Sequence, residues 1–222
     1  MKILVNCIGL AITLLCFTIN LAHAGLVTDP GSIPEPRLVV DFSQFTGAFP
    51  PPPSPVQVGG LVGKDITMEG SAHYGDISYS LGYMFWTPQN GYWRGPKYTS
   101  PGLYFTTLTG PTAMTFRFND GPVAAVGAFV NYDPHESPHP TITALDKNGQ
   151  PLESYDLAAA APISTPSAEN QGGFRGIARP QADIYGFSYG QGNLVLTNLT
   201  FTSPPAPKDS ALPGRSLLLL DD

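Results

Sequence analysis

Residues 77–85 read ISYSLGYMF, with Ile77, Tyr79, Leu81, Tyr83 and Phe85 on every second position and Ser78, Ser80 and Gly82 between them. A period of two marks a strand with one buried face, because successive side chains leave the pleat on opposite sides. The pattern returns at Met114, Phe116 and Phe118 beside Thr115 and Arg117, and again at Val126, Ala128, Val130 and Tyr132. No 11-residue window spaces its apolar residues for a helix, and 24 Pro with 24 Gly among 222 residues cut the chain into short pieces. Ile142 and Ala144 lead into Asp146-Lys147-Asn148-Gly149, a hairpin signal because Asn and Gly accept positive φ. Further strands are expected at 39–43, 64–70, 103–109, 174–178, 183–189 and 194–202. Roughly ten short strands so spaced predict an all-β fold, an antiparallel two-sheet β-sandwich of jelly-roll-like type over residues 38–203.

Residues 1–24, MKILVNCIGLAITLLCFTINLAHA, carry one early lysine, an apolar core and the small-x-small triplet Ala22-His23-Ala24. That is the form of a signal peptide cleaved after Ala24, which implies a secreted or periplasmic protein. The apolar core, interrupted by Thr13, Thr18 and Asn20, is shorter than a membrane span needs. Cys7 and Cys16 both fall in the segment removed, so the mature chain is free of disulfides. A chain near 200 residues buries roughly 70% of its unfolded surface and can fold without them. Residues 25–37 read as a loose leader, and 204–222 as a flexible tail whose Leu217–Leu220 run is too short to enter a bilayer. The polar segment 161–173 is long for a strand connection, as expected of one that crosses between sheets.

Cleavage would take one base and no acid, moving the net charge from −6 to −7, and basic runs are absent. This balance argues against nucleic acid as a partner, since phosphate binding needs clustered Lys and Arg. It equally gives no reason to expect membrane insertion after cleavage.

Residues 131–140, NYDPHESPHP, gather two histidines and two carboxylates. Pro134, Pro138 and Pro140 forbid the helix that would bring His135 and His139 onto one face. In extended chain their Cα atoms would lie ~13 Å apart, too far for one small ion. A hairpin loop at a sandwich edge is the plainer reading. A structural calcium ion through Asp133 and Glu136 is the alternative, and otherwise no cofactor is implied. The carboxylate pairs Asp133/Glu136, Glu153/Asp156 and Asp65/Glu69 have no spacing that only catalysis explains, and nucleophile and metalloprotease motifs are absent. The chain therefore reads as non-enzymatic.

Aromatic residues concentrate between Tyr74 and Phe105, and both tryptophans flank the turn TPQNG. Tyr79, Tyr83 and Phe85 belong to an alternating, core-facing set. Trp86, Tyr92, Trp93 and Arg94 lie at or beside the turn and are the candidate ligand-binding residues. Rings with polar neighbours form a platform on which sugars stack. The competing reading is that they fold down over the open end of the sandwich.

The segments NDGPVAAVGAFVNY, TITALDKNGQPLESYDL, QGGFRGIARPQADIYGF and LVLTNLTF occur in that order. Together they resemble exported bacterial β-sandwich proteins of the PEP-CTERM-associated type, over about residues 39–202. Thr197 stands where that group carries an acid, and the tail lacks the Pro-Glu-Pro motif, apolar helix and basic end of the sorting signal. The resemblance implies an exported surface or matrix protein and no particular reaction. Within FRGIARPQADIYGF, Phe174, Ile177, Ile184 and Phe187 are expected in the core, Arg175 and Arg179 outside or paired with acids, and Gly176 and Gly186 as strand glycines of the kind that mark a bulge or a close backbone approach. The sequence thus points to a non-enzymatic exported protein binding a polysaccharide or cell-surface polymer. A structural matrix protein without a small ligand is the second reading, and a glycan-active hydrolase or lyase the third.

Overall fold

The computed structural model describes residues 25–42, 55–70, 78–79, 84–87, 90–94, 103–105, 113–135, 137–168, 172–192 and 194–203. In chain order the strands are β1 (Gly25–Val27), β2 (Arg37–Val40), β3 (Val56–Gln57), β4 (Ile66–Gly70), β5 (Ser78–Tyr79), β6 (Met84–Thr87), β7 (Gly91–Arg94) and β8 (Leu103–Phe105). Next come β9 (Ala113–Phe118), β10 (Ala125–Tyr132), β11 (Thr141–Leu145), β12 (Pro151–Asp156), the short helix α1 (Leu157–Ala160), β13 (Gly173–Ala178), β14 (Gly186–Gly190) and β15 (Leu194–Thr202). One sheet has the order β1-β13-β10-β15-β8-β5, with β2 also on β15, and the other has β12-β11-β14-β9-β4-β3. Every described pairing is antiparallel. The chain is an all-β protein built from two antiparallel sheets.

From β8 onward the chain changes sheet at nearly every connection, and only β11 and β12 follow each other within one sheet. This crossing places the core between the two layers. Met114, Phe116 and Phe118 of β9 and Phe187 and Tyr189 of β14 face Val126, Val130 and Tyr132 of β10 and Leu196 and Phe201 of β15, all of them buried. Phe118 and Phe201 meet across the layers with ring centroids 5.3 Å apart. Each such side chain gains about 1.5–3 kcal/mol on leaving water. The β11–β12 hairpin forms at Asn148-Gly149 as expected, with Gly149 at φ 76° and Asp146 Oδ1 accepting from the N–H groups of Asn148 and Gln150.

Phe174, Ile177, Ile184 and Phe187 are all buried, as the alternation implied. Gly127 lies opposite Gly176, and a Cβ on either would come within 2.7 Å of the other's Cα, so the closeness of β10 and β13 depends on both glycines.

Three expectations are corrected. Residues 25–37 are no loose leader: β1 pairs with β13, and Val27 and Ile33 close a small buried cluster with Ala125, Phe174 and Ala178. Residues 25–37 therefore belong to the sandwich. NYDPHESPHP does not close a hairpin, because β10 and β11 belong to different sheets and the segment carries the chain between them. Segment 161–173 makes the crossing that its length suggested, from β12 to β13. Arg175 neither lies outside nor pairs with an acid: it is 8% exposed, and its guanidinium donates to the carbonyls of Ala161, Phe174 and Pro162. Burial lowers its pKa, and the carbonyls of the crossing segment take the place of a carboxylate. Residues 1–24, 204–222, most of the Pro run at 50–55 and much of the alternating stretch 77–85 lie outside the described residues.

Candidate functional site

The loop that gathers so many ligand-type residues spends them on holding the fold. Asn131 is buried and donates to the carbonyl of Asn90 at 3.1 Å, while the Tyr132 hydroxyl accepts from the N–H of Ile163 at 3.3 Å. Asp133 Oδ1 accepts from the N–H of His135 at 2.9 Å, closing a turn inside the loop. His139 Nδ1 lies 3.0 Å from Asp156 Oδ2, and the other oxygen of Asp156 caps α1 by accepting from the Ala159 N–H at 3.0 Å. Burial would raise the Asp156 pKa, but the Ala159 N–H, the His139 ring and the Ala158 N–H together outweigh it and hold the carboxyl below its ordinary value. Among the described residues no three His, Cys, Asp or Glu side chains converge as a metal site would require, and Glu136 lies outside them.

The carboxylate pairs separate in the same way. Asp65 accepts from Asn119 and, second in effect, from Gln57, which lower its pKa, while Glu69 pairs with Arg117. Glu153 pairs with Arg179 and Tyr155, and Asp156 with His139. Each of these carboxylates is thus engaged by a partner outside its pair.

Within the aromatic stretch, β5 and β8 join the first sheet, and β6 and β7 pair as a separate two-stranded ribbon. Its register pairs Trp86 with Tyr92, Phe85 with Trp93 and Met84 with Arg94. Positions 86, 92 and 94 thus share one face of the ribbon, and position 93 falls on the other. Asn90, at the turn, pins this ribbon to the sandwich. It is 1% exposed, its Nδ2 donates to the Tyr132 carbonyl at 2.7 Å, and its Oδ1 accepts from the Thr165 N–H at 2.9 Å. Gly91 follows at φ 81°, so close to Ala168 that a Cβ would strike the Ala168 carbonyl oxygen.

Sequence reasoning missed a concave surface on the outer face of the second sheet. Its middle strand, β14, puts Gly186, Ser188 and Gly190 outward while Phe187 and Tyr189 fill the core. The flanking strands present Thr141, Thr143 and Leu145 on β11, and Ala113, Thr115 and Arg117 on β9. Small residues between taller ones leave an open trough of about 220 Å³, lined by Ala113, Thr141, Thr143, Leu145, Ser188, Gly190 and Gln191. A row of hydroxyls crosses it: Thr115 Oγ1 donates to Ser188 Oγ at 3.1 Å, and Thr143 Oγ1 lies 2.8 Å from Ser154 Oγ. Thr141 Oγ1 donates to the Gly190 carbonyl at 3.1 Å. The lining is uncharged, and the His139–Asp156 pair stands beside Thr141 at one rim, with Arg117–Glu69 at the other.

The signal for this surface was present as the polar alternates of three strands, the same alternation that marked the core. The adjacency of β9, β14 and β11, separated widely in sequence, was not legible. No protein-family model, curated protein or solved structure matches the chain.

Proposed function

We propose that this chain is an exported, non-enzymatic β-sandwich that binds a polysaccharide or a related cell-surface polymer in the trough of its second sheet. The observation that supports this reading is the uncharged, hydroxyl-lined trough itself. Each trough hydroxyl can both donate and accept, which matches the chemistry of sugar hydroxyls, and the Leu145 and Ala113 side chains offer apolar patches for the C–H faces of a sugar ring. A trough of that kind needs no cofactor. Net hydrogen-bond gains of about 0.5–1.5 kcal/mol each make a single site weak, so the affinity would rest on repeated engagement of a polymer. The β6–β7 ribbon, pinned through Asn90 to the loop end of the sandwich, offers Trp86, Tyr92 and Arg94 as a second contact. Export and the likeness to PEP-CTERM-associated sandwich proteins fit the same reading.

The test is retention of the chain from residue 25 to 222 on a panel of neutral and acidic insoluble polysaccharides. Two variants run beside it, each shown by melting to be folded: Thr143→Arg, which fills the trough, and Trp86→Ala/Tyr92→Ala. Retention of the wild type and its loss in Thr143→Arg is the expected result. Loss only in the ribbon variant would move the site to β6–β7. Failure of the wild type to bind any polymer would overturn the reading and favour a matrix protein that acts through protein contacts.

A further inference from the structure

Strand β1 begins at Gly25, the residue that cleavage after Ala24 would make the first of the chain. It is an edge strand, with Gly25 opposite Ala178 of β13, and it meets Tyr155 and Glu153 of β12 in the other sheet. A Cβ built on Gly25 would sit 3.4 Å from the Tyr155 hydroxyl and 3.8 Å from Glu153 Oε1, so this end of β1 abuts a carboxylate. The Tyr155 hydroxyl donates to the same carboxylate and accepts from the N–H of Leu26.

The charges around that point do not balance. Arg179 gives its two good bonds to Asp183, Nε–Oδ1 at 2.6 Å and Nη2–Oδ2 at 2.9 Å, and only a long contact of 3.4 Å to Glu153. One guanidinium between two carboxylates leaves a negative charge in excess, on side chains only 21–25% exposed. Half-buried carboxylates in that position favour a second cation. None of the described side chains beside Gly25 supplies it.

We propose that the missing cation is made by processing: hydrolysis of the Ala24–Gly25 peptide bond leaves the carboxylate on Ala24 and an α-ammonium on Gly25, which docks on Glu153 and locks β1 as the closing edge strand. Water is the only co-reactant, and the ammonium carries the proton. Before cleavage the same nitrogen is an uncharged amide that cannot neutralise Glu153. Export and maturation would thereby be coupled to the last step of closing the sandwich, where β1 and the Val27–Ile33 cluster cover the outer face of β13 and β10.

The titratable groups around Gly25 are Glu153 and Tyr155 on β12, and behind Glu153 stand Arg179 and its partner Asp183 just after β13. Burial, together with the bond to Glu153, raises the Tyr155 pKa, so that phenol stays neutral through the window used. An α-amine of ordinary pKa about 8 that gains a carboxylate partner titrates higher in the folded state. Its contribution is therefore complete below about pH 8 and is lost as pH rises through the folded value.

The experiment compares four forms of residues 25–222: a free Gly25 amine, an N-acetylated Gly25, and both again with Glu153→Gln. N-terminal mass analysis of the full chain from an exporting host first reports whether the exported form starts at Gly25. At pH 6.5 the free amine is expected to melt about 2–4 °C above the acetylated form. The gap should shrink as pH rises and vanish in the Glu153→Gln pair. An exported form starting elsewhere, equal melting of the two wild-type forms, or a gap that persists with Glu153→Gln would each overturn the proposal.

Discussion

Tyr189 illustrates how a single residue can be placed by shape and left unserved by chemistry. Its ring packs edge-on to Phe187 and Phe116, with centroids 5.0 and 6.5 Å apart, yet among the described residues its buried hydroxyl finds no hydrogen-bond partner. Burial accordingly pushes its pKa well above the ordinary value. Removing an unpaired buried hydroxyl relieves a desolvation cost of about 1–3 kcal/mol while keeping the ring. Tyr189→Phe is therefore expected to keep or raise the urea midpoint of unfolding. A clear fall would show that the hydroxyl is satisfied in solution. Arg175 is the opposite case, a cation taken into the interior because two carbonyls of the crossing segment and that of the preceding Phe174 solvate it. Sequence reasoning could not separate these two, since a strand position reveals which face a residue occupies but not what waits there.

At the scale of elements, the side chain of Asn90 is one of the ties that hold the β6–β7 ribbon to the sandwich. Asn90 joins the ribbon's turn to β10 and to the 161–168 segment, and truncation would leave the Tyr132 carbonyl and the Thr165 N–H unpaired in the interior. Asn90→Ala should cost about 2–4 kcal/mol, lowering the melting midpoint by roughly 5–10 °C. An unchanged midpoint would mean that the ribbon is held by other contacts. The strands themselves were legible where alternation was strong. β9, β11 and β15 fall where Met114–Phe118, Ile142–Ala144 and residues 194–202 placed them, while β14, Gly186–Gly190, takes up only the second half of the strand expected at 183–189. Their partners were not legible, because pairing between β10 and β15 or β14 and β9 joins segments tens of residues apart with no local signal. For the same reason NYDPHESPHP looked like a hairpin: both flanking strands were recognisable, but not that they lie in different sheets. β1 was missed because three residues are too few to show a period.

The whole molecule sets the trough and the pinned ribbon toward one end of the sandwich. Tyr132, Thr141, Gly190 and Leu194 all terminate strands there, and Asn90 attaches beside them. The net charge of −6 for the whole chain disfavours polyanions and suits neutral glycans. Association costs of at least about 4 kcal/mol offset much of what a few hydroxyl contacts return, so single-site binding should be weak and polymer binding should exceed it. The most direct measurement is a methyl spectrum of the threonine-labelled chain titrated with a soluble oligosaccharide cut from the polymer it retains. Binding in the trough should move the methyl signals of Thr115, Thr141 and Thr143 first and leave distant threonines such as Thr200 in place. Trough methyls that stay in place while the chain still binds the polymer, or that move no more than distant threonines, would contradict the account.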